Sequence, residues 1–441
     1  MSRVLLIGDV VVDVTLRSKQ QETKLRMGGI VHAARGLWAQ NIPYSVGYIA
    51  PSYLDDQIRD YLKAHDCEEV VKIGEVTGAP YIFLIQEPKE IGNQGYEFLL
   101  REEIKIEYIY DNISYLAEKE LSDTLLISGN YDLADLISRL PGKIHMDVAN
   151  NVGDLEFFKN LEKKVSSLFI STSSAIFQKY YKNNFLDFAN IFKTYVEKLI
   201  LKENRGGSRG FVFETNELFS AASQTAPIQH SVGVGDVFDT CFISNQPTMS
   251  STNALVLSSW IAYEYASTSY PDDFKKGVER TLKSDIAELA KLGGVSLTWE
   301  ERKDISIYIA APDFDHVDKT PIDLLENSLL YHNFRPRRPI VENGLMEKGA
   351  SKTRKQELFE KDMTLLGECS MLVAVLLYND PGTLIEIGLA SARGIPTMVY
   401  DPYNQAENCM LTELPNLISD DLDEIISEVF IESAKIKNNE K

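Results

Sequence analysis

Apolar runs of strand length recur along the first two thirds of the chain, at Val4–Ile7, Thr124–Ser128, Lys143–Asp147, Ser167–Ser171 and Gly210–Phe213, with helix-period stretches between several of them. Runs without polar alternation belong to strands buried on both faces, and their alternation with helices predicts a largely parallel sheet covered on both sides. Between Val76 and Tyr110 the segments Pro80–Gln86 and Gly95–Leu100 are β-rich and separated by a Gly/Asn turn cluster, which reads as a small sheet excursion. From Gly235 to Leu292 the pattern is helical, and Gly293-Gly294 breaks it. A second α/β cycle follows: strands at Ile305–Ala310 and Met371–Tyr378, a turn at Asn379–Gly382, a helix from about Thr383 and a strand at Thr397–Tyr400. The expected domains are 1–298 and 299–441, with Lys435–Lys441 as a frayed tail.

Composition narrows the function classes. At 441 residues, 44% hydrophobic and 25% charged, the chain has the make-up of folded globular domains. With 45 Lys and Arg against 65 Asp and Glu its formal charge is −20, a field that repels nucleic-acid backbones. Cys67, Cys241, Cys369 and Cys409 form no CxxC pair, which fits a reducing cytoplasm, and no apolar run approaches the ~20 residues of a membrane span. The six histidines, His32 and His145 among them, show no metal-ligand spacing, so no metal site is assigned.

In the first domain the segment Gly233-Val234-Gly235-Asp236 opens a helical pattern. Glycines let backbone N–H groups converge on an anion at a helix N-terminus, and a carboxylate next to them can take a proton from an attacking hydroxyl. Taken alone, the motif is more often a tight loop with a helix-capping Asp than a phosphate site. Gly8-Asp9 with Asp13, then Gly28-Gly29, then Arg205-Gly-Gly-Ser-Arg-Gly210 precede it. In that order these motifs resemble the ribokinase, or PfkB-type, sugar kinases over about residues 1–295. The resemblance implies a ribokinase-like α/β domain with a small β lid, Asp236 as general base, Gly233, Val234 and Gly235 as the anion hole, and Asp13, Gly28 and Gly29 as the sugar site. It also implies Gly207 and Gly210 near the nucleotide, with ATP and Mg2+ as cofactors. The sequence departs from that family in having His230-Ser231 before the loop, Ala33 for an Asn, and Ser171 to Ser174 where a metal-associated Asn-x-x-Glu stands. Loss of that Glu removes a charge from the magnesium network. It motivates an alternative in which this domain is a non-catalytic ligand sensor.

The second domain carries Asn379-Asp-Pro-Gly-Thr-Leu-Ile-Glu386-Ile-Gly-Leu-Ala390 after a strand fit for burial. Thr383 is the expected N-cap, placing Glu386 in the first helical turn at the sheet's carboxyl edge. A carboxylate there can attack an anomeric carbon while a second acid, Asp380 or Asp362, protonates the leaving base. Dipole-stabilising and turn roles are the plainer reading of the same residues. Ile307-Tyr308-Ile-Ala-Ala-Pro-Asp-Phe314, Lys361-Asp362, the Glu386 motif and Asn408-Cys-Met410 together resemble the nucleoside 2-deoxyribosyltransferase family, over about 303–430. That resemblance implies a flavodoxin-like or Rossmann-like parallel α/β domain needing no cofactor. Glu386 would be its nucleophile, oriented by Tyr308, and Asp362 with Asp380 would bind and protonate the base. Asn408 and Met410 would reach the sugar of a neighbouring subunit, hence a homo-oligomer.

Asp313, Asp315 and Asp318 in the loop after the first strand would repel phosphate, favouring a nucleoside over a nucleotide. Arg335, Arg337 and Arg338 read as a solvated basic patch unless they fold over the site. The combined expectation is a bifunctional cytoplasmic enzyme of nucleoside salvage acting on nucleosides, nucleobases and sugars, without nucleic-acid or membrane partners. Transfer or hydrolysis is open, as is N-glycosidic cleavage of a nucleotide or nicotinamide dinucleotide.

Overall fold

The computed structural model describes residues 3–16, 22–78, 81–95, 97–98, 103–119, 123–129, 131–149, 151–347 and 349–440. Ala79, Pro80, Tyr96, Leu99, Leu100, Arg101 and Glu102 of the expected β excursion and Lys441 of the expected tail lie outside the described residues. The chain divides into two compact units, Met1–Lys89 with Gln94–Ser296, and Glu90–Asn93 with Leu297–Lys441.

In the first unit a ten-stranded sheet runs in the order Glu217–Ala221, Ser208–Val212, Val196–Lys202, Val165–Ser171, Lys143–Val148, Asp123–Ile127, Val4–Asp9, Tyr44–Ala50, Glu69–Thr77, Lys105–Tyr108. The strands from Val196–Lys202 across to Glu69–Thr77 are parallel. An antiparallel hairpin closes one edge and Lys105–Tyr108 the other. Every residue of Val4–Asp9 and of Tyr44–Ala50 is buried, which is why such strands carry no polar alternation.

A separate four-stranded sheet joins Lys24–Met27, Val12–Thr15, Ile82–Ile85 and Glu97–Phe98. The β excursion expected at 76–110 is therefore split: its middle builds the small sheet, while Lys105–Tyr108 returns to the large one. Helices Ile30–Ala39, Val234–Asn245 and Ser251–Ala266 pack on the large sheet, burying Val31, Leu37, Val237, Phe242 and Ile261 together.

The second unit holds a parallel five-stranded sheet in the order Arg335–Arg337, Ser306–Ala310, Met371–Val375, Thr397–Tyr400, Leu417–Ser419. Numbered within the unit this is 2-1-3-4-5, the flavodoxin-like order, whose crevice lies at the carboxyl ends of the first and third strands. Two expectations change here. Arg335–Arg337 is an edge strand, where Pro336 is tolerated. The C-terminal segment is helical, in Leu422–Glu440, because Ile425, Ile426, Val429 and Phe430 are fully buried along one face. Among the described residues no helix is long and apolar enough to cross a membrane, and all four cysteines are free thiols.

Candidate active sites

In the second unit, Tyr308 comes from the centre of strand Ser306–Ala310 and Glu386 from helix Pro381–Ala392, which follows strand Met371–Val375. The helix starts earlier than expected: Asp380 is its N-cap, Pro381 occupies the first turn, and Glu386 lies in the second turn. Asp380 Oδ2 accepts from the Thr383 N–H at 2.8 Å and from the Thr383 hydroxyl at 3.0 Å, so Thr383 donates to the cap and is not itself the cap. Tyr308 Oη donates to Glu386 Oε1 at 2.7 Å. Burial pushes the Glu386 carboxyl up to about 7; the Tyr308 hydrogen bond works against that shift, and Asp362 and Asp380 add to it. Tyr308, Asp362 and Asp380 thus all lie within electrostatic reach of Glu386. Asp362, on helix Lys352–Glu368, accepts from Asn343 Nδ2 at 2.8 Å.

The acidic loop after the first strand differs from its expected character. Arg338 donates to Asp313 through Nε, and its Nη1 reaches Asp323 and Glu326, each at 2.7 Å. Lys319 adds a contact to Asp313 at 3.1 Å. Arg337 forms a two-pronged pair with Glu342 at 2.7 and 2.6 Å. Arg337 and Arg338 are therefore engaged by carboxylates and are not a solvated patch. Asp313 is neutralised locally, which removes its weight from the argument against phosphate. Asn408 caps the short helix Cys409–Glu413 through the Met410 N–H at 2.9 Å, and the Met410 side chain is 65% exposed. Within one chain these two residues are not brought to Glu386 by any contact among the described residues.

In the first unit, Asp13 sits on the small sheet and is buried, with His32 Nε2 at 3.0 Å from its Oδ2 and Arg26 Nε at 3.8 Å. A Cβ at Gly28 would lie 2.3 Å from the Asp13 carboxylate, so only glycine leaves that carboxylate its place. The other nitrogen of His32 pairs with Tyr265 Oη at 2.6 Å, and Arg35 donates to the same hydroxyl at 3.1 Å and to Tyr61. Burial lowers the His32 pKa despite Asp13, so the ring is neutral at pH 7. His32 reads in sequence as an ordinary core or surface histidine. No local signal marks its role, because every partner is remote in the chain.

Gly233 caps helix Val234–Asn245 at φ 75°, and a Cβ there would lie 2.2 Å from His32 Cγ. The imidazole thus underlies both the predicted sugar residue and the predicted anion loop. Asp236 stands in the first turn of that helix. Its carboxyl is pushed up to about 8, first by burial and then by Asp147; Lys202 opposes this, while Asp13 and Asp9 add smaller upward pushes. A base near neutrality is suited to proton abstraction.

Sequence reasoning also missed Lys202, Asp147 and Asp239. Lys202 Nζ reaches Asp147 Oδ2 at 3.0 Å and both oxygens of Asp239 at 3.0 and 2.8 Å. These carboxylates are the ones that would grip a phosphate-borne Mg2+, and an ammonium already engages them. Ser174 in turn caps helix Ala175–Tyr180. Gly207 follows a 3-10 turn at φ 103°, whereas Gly210 lies within strand Ser208–Val212 under the Phe219 ring and not in a loop.

A cavity of about 510 Å³ opens at the carboxyl ends of strands Asp123–Ile127 and Lys143–Val148, lined by Ile106, Tyr108, Tyr131, Asp132, Asn151 and Phe157. Among the described residues none of those lining it is basic. Its wall at Gly129 abuts Asp9: a Cβ there would lie 2.8 Å from Asp9 Oδ2, a carboxylate that also accepts from Tyr81 Oη at 2.9 Å.

Residues 307–429 match the family model described as nucleoside 2-deoxyribosyltransferase. No protein of curated function matches the chain. Among solved structures, the tetrameric inhibited form of phosphofructokinase-2 from Escherichia coli is 13% identical, with 64% of this chain and 100% of that one covered, at a TM-score of 0.48. Ribokinase from Thermotoga maritima is 15% identical over 64% and 100%, at 0.46. Adenosine kinase from Sinorhizobium meliloti is 12% identical over 63% and 99%, at 0.48.

Proposed function

We propose that the chain is a two-site enzyme of nucleoside metabolism, with an N-glycosidic-bond site in the second unit and a phosphotransfer site in the first. The observation that carries the reading is the 2.7 Å bond from Tyr308 Oη to Glu386 Oε1 at the flavodoxin-like crevice. That bond fixes one carboxylate oxygen and leaves Oε2 to act. Glu386 Oε2 attacks C1′ of the nucleoside. The C1′–N bond breaks with its electron pair on the departing base, and Asp362 delivers the proton that neutralises it. Asp380, held as a helix cap by Thr383, binds the base beside Asp362. A second base, or water, then attacks C1′ and gives up its proton to the Asp362 carboxylate, while the C1′–O bond breaks with its electron pair on Glu386. The match of residues 307–429 to the deoxyribosyltransferase family supports transfer to a second base.

In the first unit, Asp236 removes the proton from an acceptor hydroxyl. The oxygen attacks the terminal phosphorus of ATP, and the bridging P–O bond breaks with its pair on ADP. The N–H groups of the Gly233–Gly235 turn, at the positive end of the helix, balance the charge that develops. Asp13 anchors the acceptor. The aromatic cavity beside Asp9 favours a nucleoside acceptor over a sugar phosphate, because its described lining offers ring faces and no cation.

The test is incubation with deoxyadenosine and cytosine, followed by chromatography. Deoxycytidine formed by the native chain and lost in Glu386→Ala is the expected result; free deoxypentose without deoxycytidine overturns transfer in favour of hydrolysis. A parallel assay with labelled ATP and a panel of nucleosides and pentoses tests the first unit. Label transfer that disappears in Asp236→Asn is expected there, and its absence for every acceptor leaves that unit a ligand sensor.

A further inference from the structure

We propose that the Lys202 ammonium takes the place of a divalent cation at the phosphate loop of the first unit, so that this chain binds ATP without holding a metal. The inference rests on the reading of Gly233–Asp236 as a phosphate loop.

Its geometry comes from three separate elements. Lys202 is the last residue of strand Val196–Lys202, Asp147 lies near the end of strand Lys143–Val148, and Asp239 follows Asp236 by one turn on helix Val234–Asn245. Carboxylates gathered at the carboxyl ends of parallel strands, next to a helix N-terminus, are where a metal carried by a polyphosphate is gripped. Here the ammonium is already there, at 3.0 Å from Asp147 and 2.8 Å from Asp239. It lies directly under the loop, 3.2 Å from the point where a Cβ on Gly235 would stand.

Three further observations close the site to a metal. The Asp239 side chain is 0% exposed and that of Lys202 13%, so the pair is shielded from exchange with solvent ions. The ammonium also lies 5.9 Å from the centre of the Phe169 ring, which holds its near side against an aromatic face. Among the described residues no group of three or more His, Cys, Asp or Glu side chains is arranged to hold a metal ion. An incoming Mg2+ would have to strip two carboxylates from a covalently tethered cation and leave that cation buried without partners. The lysine also does part of the work of the metal. By pairing with both Asp147 and Asp239 it lowers the negative charge that a phosphate meets at the helix end.

Calorimetry of the full chain with ATP, once in EDTA and once in excess Mg2+, reads the proposal directly. Dissociation constants within about threefold of each other are expected, since no metal site is coupled to binding. Affinity that falls about tenfold or more in EDTA overturns the proposal while leaving the phosphate-loop reading intact. No ATP binding in either buffer overturns both. Mn2+ titration followed by electron paramagnetic resonance gives a second readout without nucleotide. The native chain is expected to bind no Mn2+, and stoichiometric binding overturns the proposal. In Lys202→Met the vacated carboxylates are expected to gain Mn2+ binding, seen as a rise in that variant's melting temperature that the native chain does not show. If the variant does not fold, the native-chain measurements decide alone.

Discussion

His32 Nε2 stands 3.0 Å from Asp13 Oδ2, and the same ring fills the space in which any side chain on Gly233 would have to sit. One neutral imidazole therefore shapes the acceptor carboxylate and the turn that receives phosphate. His32 acts through these two and is a positioning residue. His32→Leu keeps a side chain under the Gly233 turn but removes the hydrogen bond to Asp13, so it is expected to raise the acceptor KM about tenfold, the cost of one lost hydrogen bond to a charged group, while changing ATP affinity little. Equal losses for both ligands would mean that the ring only fills the core.

Gly233→Ala places a methyl 2.2 Å from His32 Cγ at a φ of 75°. Both the clash and the left-handed backbone act against it, and a loss of about 2 kcal/mol or more in first-unit stability is expected, with phosphotransfer abolished. Urea denaturation of the full chain, followed by probes in each unit, would show the change confined to the first. An unshifted transition would contradict the close packing of ring and turn.

The two sites differ in their pH response. Glu386 must be ionised to attack, and with its carboxyl raised to about 7, base exchange should fall away as pH drops below that value. Asp236 must also be ionised, and at about 8 its phosphotransfer rate should still be climbing between pH 7 and 8. Stability moves the other way. A carboxyl raised on folding holds its proton in the native state, so its favourable contribution is complete below the unfolded value and is lost as pH rises through about 8. Asp236→Asn should accordingly be inactive in phosphotransfer yet melt higher than the native chain at pH 9.

Tyr308→Phe removes the one hydrogen bond that lowers the Glu386 pKa. The expected result is a base-exchange profile displaced to higher pH and a rate lower by about ten- to a hundredfold at pH 7. A lower rate with an unmoved profile would assign the hydroxyl to substrate binding alone.

Arg338 holds Asp313, Asp323 and Glu326 with a side chain only 10% exposed. Arg338→Ala leaves three carboxylates facing one another, and a loss of about 2–3 kcal/mol from the second unit is expected by chemical denaturation. Arg338→Lys should recover part of it but not the forked geometry.

How far the sequence carries the reader depends on whether a signal is local. Strands such as Lys143–Val148 and Met371–Val375 are legible because burial on both faces leaves an unbroken apolar run. Val196–Lys202 is not, since Glu197, Lys198 and Lys202 interrupt it. Lys198 sets its ammonium 5.5 Å from the centre of the Phe242 ring, and Lys202 finds its carboxylates 55 and 37 positions away. Arg335–Arg337 is hidden in the same way, with Pro336 on an edge strand and the charge of Arg337 answered by Glu342 from another element. At the sites, Glu386 and Asp236 are marked by their own glycines and turns. His32 and Lys202 are marked only by partners that folding brings.

The division of one polypeptide into two compact units fixes a ratio as well as a geometry. Translation delivers the two sites in equal numbers, so no change in expression can alter their balance. Any difference in flux through them must be set by turnover, ligand supply or proton concentration.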